Sequence, residues 1–388
     1  DSLLNQSFDI VSTGSITSSD TITLLTKQLS NTEVYKYLVV IYVDNALAGN
    51  SITSASFQGN ISADANQGKA PIPAVQYITN LYNNSSKTIV TNNSINYEYD
   101  ATNNLMQDVE GNIRYYGASP NNYVYFNCSD YANQTSSTCE TWRIIGVFDG
   151  KVKLIRNESI GKYSWDNKDT TTGAENNYGK NDWTDARLMK LLNPGYDSET
   201  IGGSLYYDAV SGRCYSEQKN ATTLCDFTST GIKNQVTRDL MSETTYYLGG
   251  HKSNYIYPNL IYKKERGTTV YSGRSKTWTG KIALAYPSDY GYAVDLEECV
   301  NRQLVNYGDS VCTSNNWMKT ILGTSSMLLL TPNSDSSSST WYINSSGFVN
   351  GYNFASDALE VVPVLYLNSK LTIKSGTGSS SEPYQLDV

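Results

Sequence analysis

Residues 337–367 read SSSTWYINSSGFVNGYNFASDALEVVPVLYL. The first two thirds are Ser, Asn, Gly, Tyr and Phe with almost no charge, and the last third is an apolar run. A plain loop would carry more Asp, Lys and Glu, and a core segment would not hold so much Asn and Ser. VVPVLYL therefore predicts a buried strand. Before it, Trp341, Ile343 and Ser345 alternate with Tyr342, Asn344 and Ser346 up to a turn at Gly347, so one face can pack inward while the other meets solvent. The solvent face is expected to show Tyr342, Asn344, Phe348, Asn350, Tyr352, Asn353 and Phe354. Tyr, Asn, Ser and Gly are the residues from which adaptable binding loops are built.

Working outward, the 388 residues suit two or three domains. A hydrophobic content of 39% is enough for real cores. With 29 basic and 37 acidic side chains the net charge is −8, which argues against nucleic acid and against anionic membrane surfaces. Tyr is abundant at 32 residues and suits both cores and binding surfaces, although an AT-rich genome raises Asn, Tyr, Lys and Ile together.

Six cysteines fall into three local couples: Cys128 with Cys139, Cys214 with Cys225, and Cys299 with Cys312. An even count in separated couples favours three short-range disulfides among 15 arithmetic connectivities. Disulfides imply an oxidising compartment, so the chain is read as exported, extracellular or on the cell surface. It opens at Asp1 without Met and shows no apolar run of membrane length, which suggests a mature or trimmed product.

Residues 1–70 read as a β-sandwich stalk or assembly module, with YKYLVVIYVD (35–44) its strongest strand. Residues 71–109 read as a linker with a short helix, because Ile72, Val75, Ile78, Leu81 and Tyr82 follow helical spacing. From 110 to 388 the pattern is α+β: two helices, short strands and long disulfide-held loops. Asp149-Gly150 marks a hairpin. Residues 181–195 predict a helix capped by Asp182 or Thr184 and stopped by Pro194-Gly195. Residues 230–250 predict a second, with Ile232, Val236 and Leu240 as its stripe and Gly249-Gly250 as its end. SDSSSST (334–340) reads as a mobile loop.

Motifs for catalysis are weak. A nucleophilic triad needs a base, and His251 is the single histidine, in a polar loop after two glycines. Asp166, Asp169, Asp182 and Asp185 cluster in sequence, but helix capping accounts for them without chemistry. SDYGYAVDLEE (288–298) and TPNSDSSSS (331–339) offer oxygen ligands without EF-hand spacing. No phosphate-binding glycine loop occurs in a strand–loop–helix context. The expectation is a non-enzyme with neither metal nor cofactor.

A likeness to known proteins enters at these residues. WYINSSGFVNGYN followed by VVPVLYL resembles the C-terminal end of C-type-lectin-fold domains of the formylglycine-generating-enzyme type. Such domains include retroelement-diversified variable proteins, in which the loop before the final turn binds ligand. NYVYFNCSDY, CETWRIIGVFDGKVKLIRNESIG and NDWTDARLMKLLNPG resemble cell-surface proteins of gut Firmicutes with the same ending. The likeness spans residues 110–375. Glu360 and Val362 stand where the family carries Gly and Arg, while Val361 and Pro363 are kept. Oxidase chemistry does not carry over, because it needs a reactive cysteine pair. Residues 30–66 resemble the β-sandwich of camelysin and TasA-type exported proteins, some of which form fibres.

Together these readings imply a C-type-lectin-like ligand-binding domain, at 110–388, on an exported adhesin or receptor-type protein. The expected partner is a host or microbial surface protein or a glycan. The alternative is a fibre or pilus subunit that self-assembles by β-strand addition through its N-terminal strands.

Overall fold

A computed structural model describes residues 72–216 and 223–388. The chain divides into Asp1–Gln67 and Gly68–Val388. The β-sandwich expected over 1–70 lies outside the described residues.

The second unit is mixed α+β and mostly strand, built from several sheets with eight short helices among the described residues. Its spine is the hairpin of Glu140–Phe148 and Lys151–Arg156, reversed at Asp149 and Gly150 with φ of 49° and 71°. Both residues sit in the left-handed region that a two-residue hairpin turn requires. Around this hairpin runs a nine-stranded sheet. Glu140–Phe148 is long enough to pair Tyr123–Phe126 along its first half and Ile113–Tyr115 near its end.

The quoted stretch decides how this sheet meets a second one. Val364–Tyr366 pairs with Lys151–Arg156 in the large sheet, while Ala358–Glu360 pairs with Lys162–Ser164 in a five-stranded sheet. Between them the pairing continues without a break: Arg156 N–H donates to Pro363, Ile160 N–H to Val361, and Val361 N–H to Gly161. Residues 361–367 are all buried, as expected of VVPVLYL. The proline falls at the junction between the two sheets, where it withholds no bond from either named strand.

Several expectations are corrected. The helix at Ala74–Asn83 forms and buries Ile78 and Tyr82. The rest of the expected 71–109 linker is folded: Thr88–Asn92, Ile95–Asp100 and Leu105–Gln107 are strands of the large sheet. In INYEYD Tyr97, Tyr99 and Asp100 are buried, while Asn96 and Glu98 are exposed. The helix expected over 181–195 is confined to Arg187–Leu192, after a tight turn at Trp183–Asp185. Neither Asp182 nor Thr184 caps it; the Thr184 hydroxyl donates to Asp182 instead. The helix expected over 230–250 is only Gln235–Leu240, capped by Asn234, and Thr244–Tyr247 is a strand, so Gly249-Gly250 ends no helix. Ile232 and Leu240 are buried, but Val236 is exposed. SDSSSST is no free loop, since Ser338, Ser339 and Thr340 are buried.

The core is aromatic. Five of the six tryptophans, Trp142, Trp165, Trp183, Trp317 and Trp341, are fully buried. Three disulfides join Cys128 to Cys139, Cys214 to Cys225 and Cys299 to Cys312, over separations of 11, 11 and 13 residues. Each closes a short loop, which limits the unfolded chain by about 2–3 kcal/mol in the chain-entropy account.

Candidate functional site

The site begins as a β-hairpin, Ser339–Ile343 with Val349–Phe354, at one edge of the five-stranded sheet. Its turn is closed by side-chain and backbone bonds. The Asn344 side chain accepts from Ser346 N–H at 2.9 Å, and Gly347 N–H donates back to the Asn344 carbonyl at 2.8 Å. Gly347 has φ of 99°, and a Cβ there would meet Thr313 at 2.7 Å. Asn344 is therefore committed to holding the turn.

The inward face anchors the hairpin. Trp341 is buried, and its indole N–H donates to the His251 carbonyl at 3.0 Å. Gly351 lies across that indole, where a Cβ would meet Trp341 Cε2 at 2.8 Å. Asn333 donates to the Gly351 carbonyl, and Asn181 donates to the carbonyls of Asn333, Ser336 and Ser339. These bonds satisfy backbone groups that the serine run would otherwise bury unpaired.

The outward face carries Tyr342 opposite Asn350, then Tyr352 and Phe354. Tyr352 is 59% exposed and Phe354 40%. Asn353 does not belong with them. It is buried and donates to the Phe354 carbonyl, because neighbouring strand residues point to opposite faces. Phe348 is half-buried.

One participant was not expected from sequence. Tyr178, half exposed, stacks on Phe354 with ring centroids 4.3 Å apart and planes 19° from parallel. It is held there by Ser356 N–H donating to its carbonyl and by Asn176, which bonds Ser337 and Ser338. Gly179 passes so close to Asp166 that a Cβ would lie 2.0 Å from its carbonyl oxygen. The only signal in the sequence is compositional: ENNYGKN (175–181) has the same Asn, Tyr and Gly character as the hairpin.

The other candidates are tied down structurally. Asp166 is buried; its carboxylate accepts from the backbone N–H of Lys180 and of Arg187, at the start of the Arg187–Leu192 helix. Burial pushes its pKa up, against the pull of Lys168 and these donors. Asp169 accepts from Thr171 and Thr172, which holds its carboxyl down. Asp182 pairs with Lys180, and Asp185 with Lys168 and Lys190. Burial, with Lys264 and Lys252 nearby, lowers the pKa of His251. Among the described residues no group of three or more His, Cys, Asp or Glu could hold a metal ion, and no helix is long and apolar enough to cross a membrane. A separate polar cleft of 230 Å³ lies between Gln134, Ser136, Ser375 and Glu382.

Comparison with known proteins finds no matching family model, no matching curated protein and no matching solved structure.

Proposed function

We propose that the chain is an exported surface protein of the adhesin or receptor type, and that its second unit is a C-type-lectin-like display domain. Ligand binds on the outward face of the hairpin, at Tyr342, Asn350, Tyr352 and Phe354, with Tyr178 as an added contact. The observation that supports this most is the exposed, stacked Tyr178–Phe354 pair with Tyr352 two residues along the same face. Large aromatic rings left at the surface of a chain that buries five tryptophans make a rigid contact area at small entropic cost. The hairpin side chains of that face are uncharged, which suits a glycan or a neutral protein patch better than an ionic partner. Three disulfides fit an oxidising location.

The test is an array of glycans and of host and microbial surface proteins, probed with the full chain and with Phe354→Ala. A partner bound by the full chain and lost at least tenfold in the variant supports the reading. A partner bound equally by both places the site elsewhere.

A second reading, a fibre subunit joined by strand addition, has one observation in its favour. Among the described residues Thr88–Asn92 is the last strand of the nine-stranded sheet; it has no charge and no proline and leaves Ile89 60% exposed. Natural proteins usually guard such edges. Concentration-dependent filaments in negative-stain images would favour it, and a strict monomer would count against it.

A further inference from the structure

Inside the second unit, well away from solvent, Lys153 and Asp289 meet. Both are buried, at 0% and 2% exposure, and Nζ lies 2.5 Å from Oδ2. Lys153 stands on the Lys151–Arg156 strand and Asp289 on the Pro287–Tyr292 helix, 136 residues apart in sequence. Aromatic rings wall the amine: Tyr286, Phe148 and Tyr366 lie 4.6, 5.3 and 5.6 Å from it. The carboxyl is held by donors on both oxygens. Tyr286 N–H bonds Oδ2 at 2.9 Å, and Arg114 Nη1 lies 3.3 Å from Oδ1. Beside them Glu265, also fully buried, accepts from the backbone N–H and hydroxyl of Ser288, the residue before Asp289.

We propose that Lys153 and Asp289 condense into an intramolecular amide, a covalent crosslink between this strand and this helix. The ammonium first passes a proton to the carboxylate, giving neutral amine and neutral acid. The Nζ lone pair then forms a bond to Cγ. The C–OH bond breaks, a second proton moves from nitrogen to the departing hydroxyl, and water leaves. Nothing is oxidised or reduced. Arg114, at Oδ1, polarises the carbonyl and stabilises the oxyanion that forms on it, while the Tyr286 N–H holds Oδ2, the oxygen that departs.

Three physical points favour the amide over the ion pair. A desolvated ion pair is expensive to keep, and an amide carries no charge. The charges left behind pair one to one, Arg114 with Asp108 at 2.6 Å and Arg266 with Glu265 at 3.3 Å. Burial lowers the Lys153 pKa to about 8, so a neutral amine is accessible near neutral pH. At Asp289 the effect of burial is outweighed by Lys153 and Arg114, which hold its carboxyl below the usual range, so the proton it needs comes from the Lys153 ammonium in contact with it. The crosslink would close a far longer loop than any of the three disulfides and so restrict the unfolded chain more.

The test is the intact mass of the full chain, denatured and reduced. The expected mass is lighter than the sequence by one water. A protease digest is expected to yield one branched peptide joining the Lys153 and Asp289 segments. Lys153→Arg, which cannot form the amide, returns to its full sequence mass. Asp289→Asn reaches the same product as the wild type by losing ammonia instead of water, which keeps the test decisive if Lys153→Arg does not fold. A wild-type chain at its full sequence mass overturns the proposal. So does a water loss that persists in Lys153→Arg, or an Asp289→Asn chain that keeps its ammonia.

Discussion

The two faces of one hairpin make the most instructive contrast in the molecule. Trp341, Ile343, Val349, Gly351 and Asn353 point inward and are buried, while Tyr342, Asn350, Tyr352 and Phe354 alternate with them and point outward. The backbone is shared, and so is the stretch of uncharged sequence. What differs is only the direction that a two-residue period gives each side chain. Position parity, rather than residue type, therefore separates what holds the hairpin from what the hairpin presents.

The largest effect that would break this contrast is on the inner face. Trp341→Ala empties an indole-sized volume and orphans the His251 carbonyl, so it is expected to cost about 3–5 kcal/mol in chemical denaturation. If that variant unfolds at the wild-type midpoint, the inner face is not core.

Next comes the interior that this sheet shields. Burial holds the pKa of Glu265 up at about 7, only partly offset by Arg266 and the Ser288 donors. A carboxyl whose folded pKa is raised adds stability below its unfolded pKa and gives it up as pH climbs through the folded value. Stability is thus expected to fall between about pH 4.5 and 7, by roughly 3 kcal/mol in linkage terms. Glu265→Gln is expected to flatten that part of the stability–pH curve, and a slope unchanged in the variant would assign it to another group.

Gly351→Ala sharpens the contrast at a single atom. The added Cβ would press on a buried indole with nowhere to move, which is expected to cost about 1–3 kcal/mol. Equal midpoints for Gly351→Ala and wild type would mean that Trp341 shifts freely.

Outward changes are expected to be smallest in stability. Phe354→Ala loses the stack on Tyr178, about 0.5–1.5 kcal/mol. Tyr352→Ala is expected to stay within about 0.5 kcal/mol of wild type while weakening ligand binding. A Tyr352→Ala chain that melts early would place that ring in the core.

What the sequence made legible was local. The Asp149-Gly150 turn, the three cysteine couples and VVPVLYL all depend on neighbours within a dozen or so residues; the turn and the disulfides formed as expected, and VVPVLYL is buried throughout although its strand is only Val364–Tyr366. The strands of 88–107 were missed although INYEYD alternates, because in TIVTN an exposed Ile89 and a buried Asn92 invert the pattern and in LMQ two neighbours are buried in a row. Helix lengths were overestimated where tertiary bonds interrupt them: Asp166, far upstream, meets the N–H of Arg187, and Thr244–Tyr247 leaves the helical path to pair with Thr277–Gly280. The facing of the proposed binding residues was legible as alternation, but Asn353 was placed on the wrong side of it. Long-range partners left no trace in the sequence: neither the stacking of Tyr178 on Phe354 nor the meeting of Lys153 with Asp289 has a local signature.

The measurement that tests the central claim most directly is an alanine scan of 341–354, reading the melting temperature and binding to the array-identified partner on each variant. The account predicts a two-residue alternation. Melting falls at Trp341, Ile343, Val349, Gly351 and Asn353, whereas binding falls at Tyr342, Asn350, Tyr352 and Phe354 with melting unchanged except for the small loss of the Tyr178 stack at Phe354. Loss of melting temperature spread evenly over both sets, or binding untouched by the outward set, would contradict it.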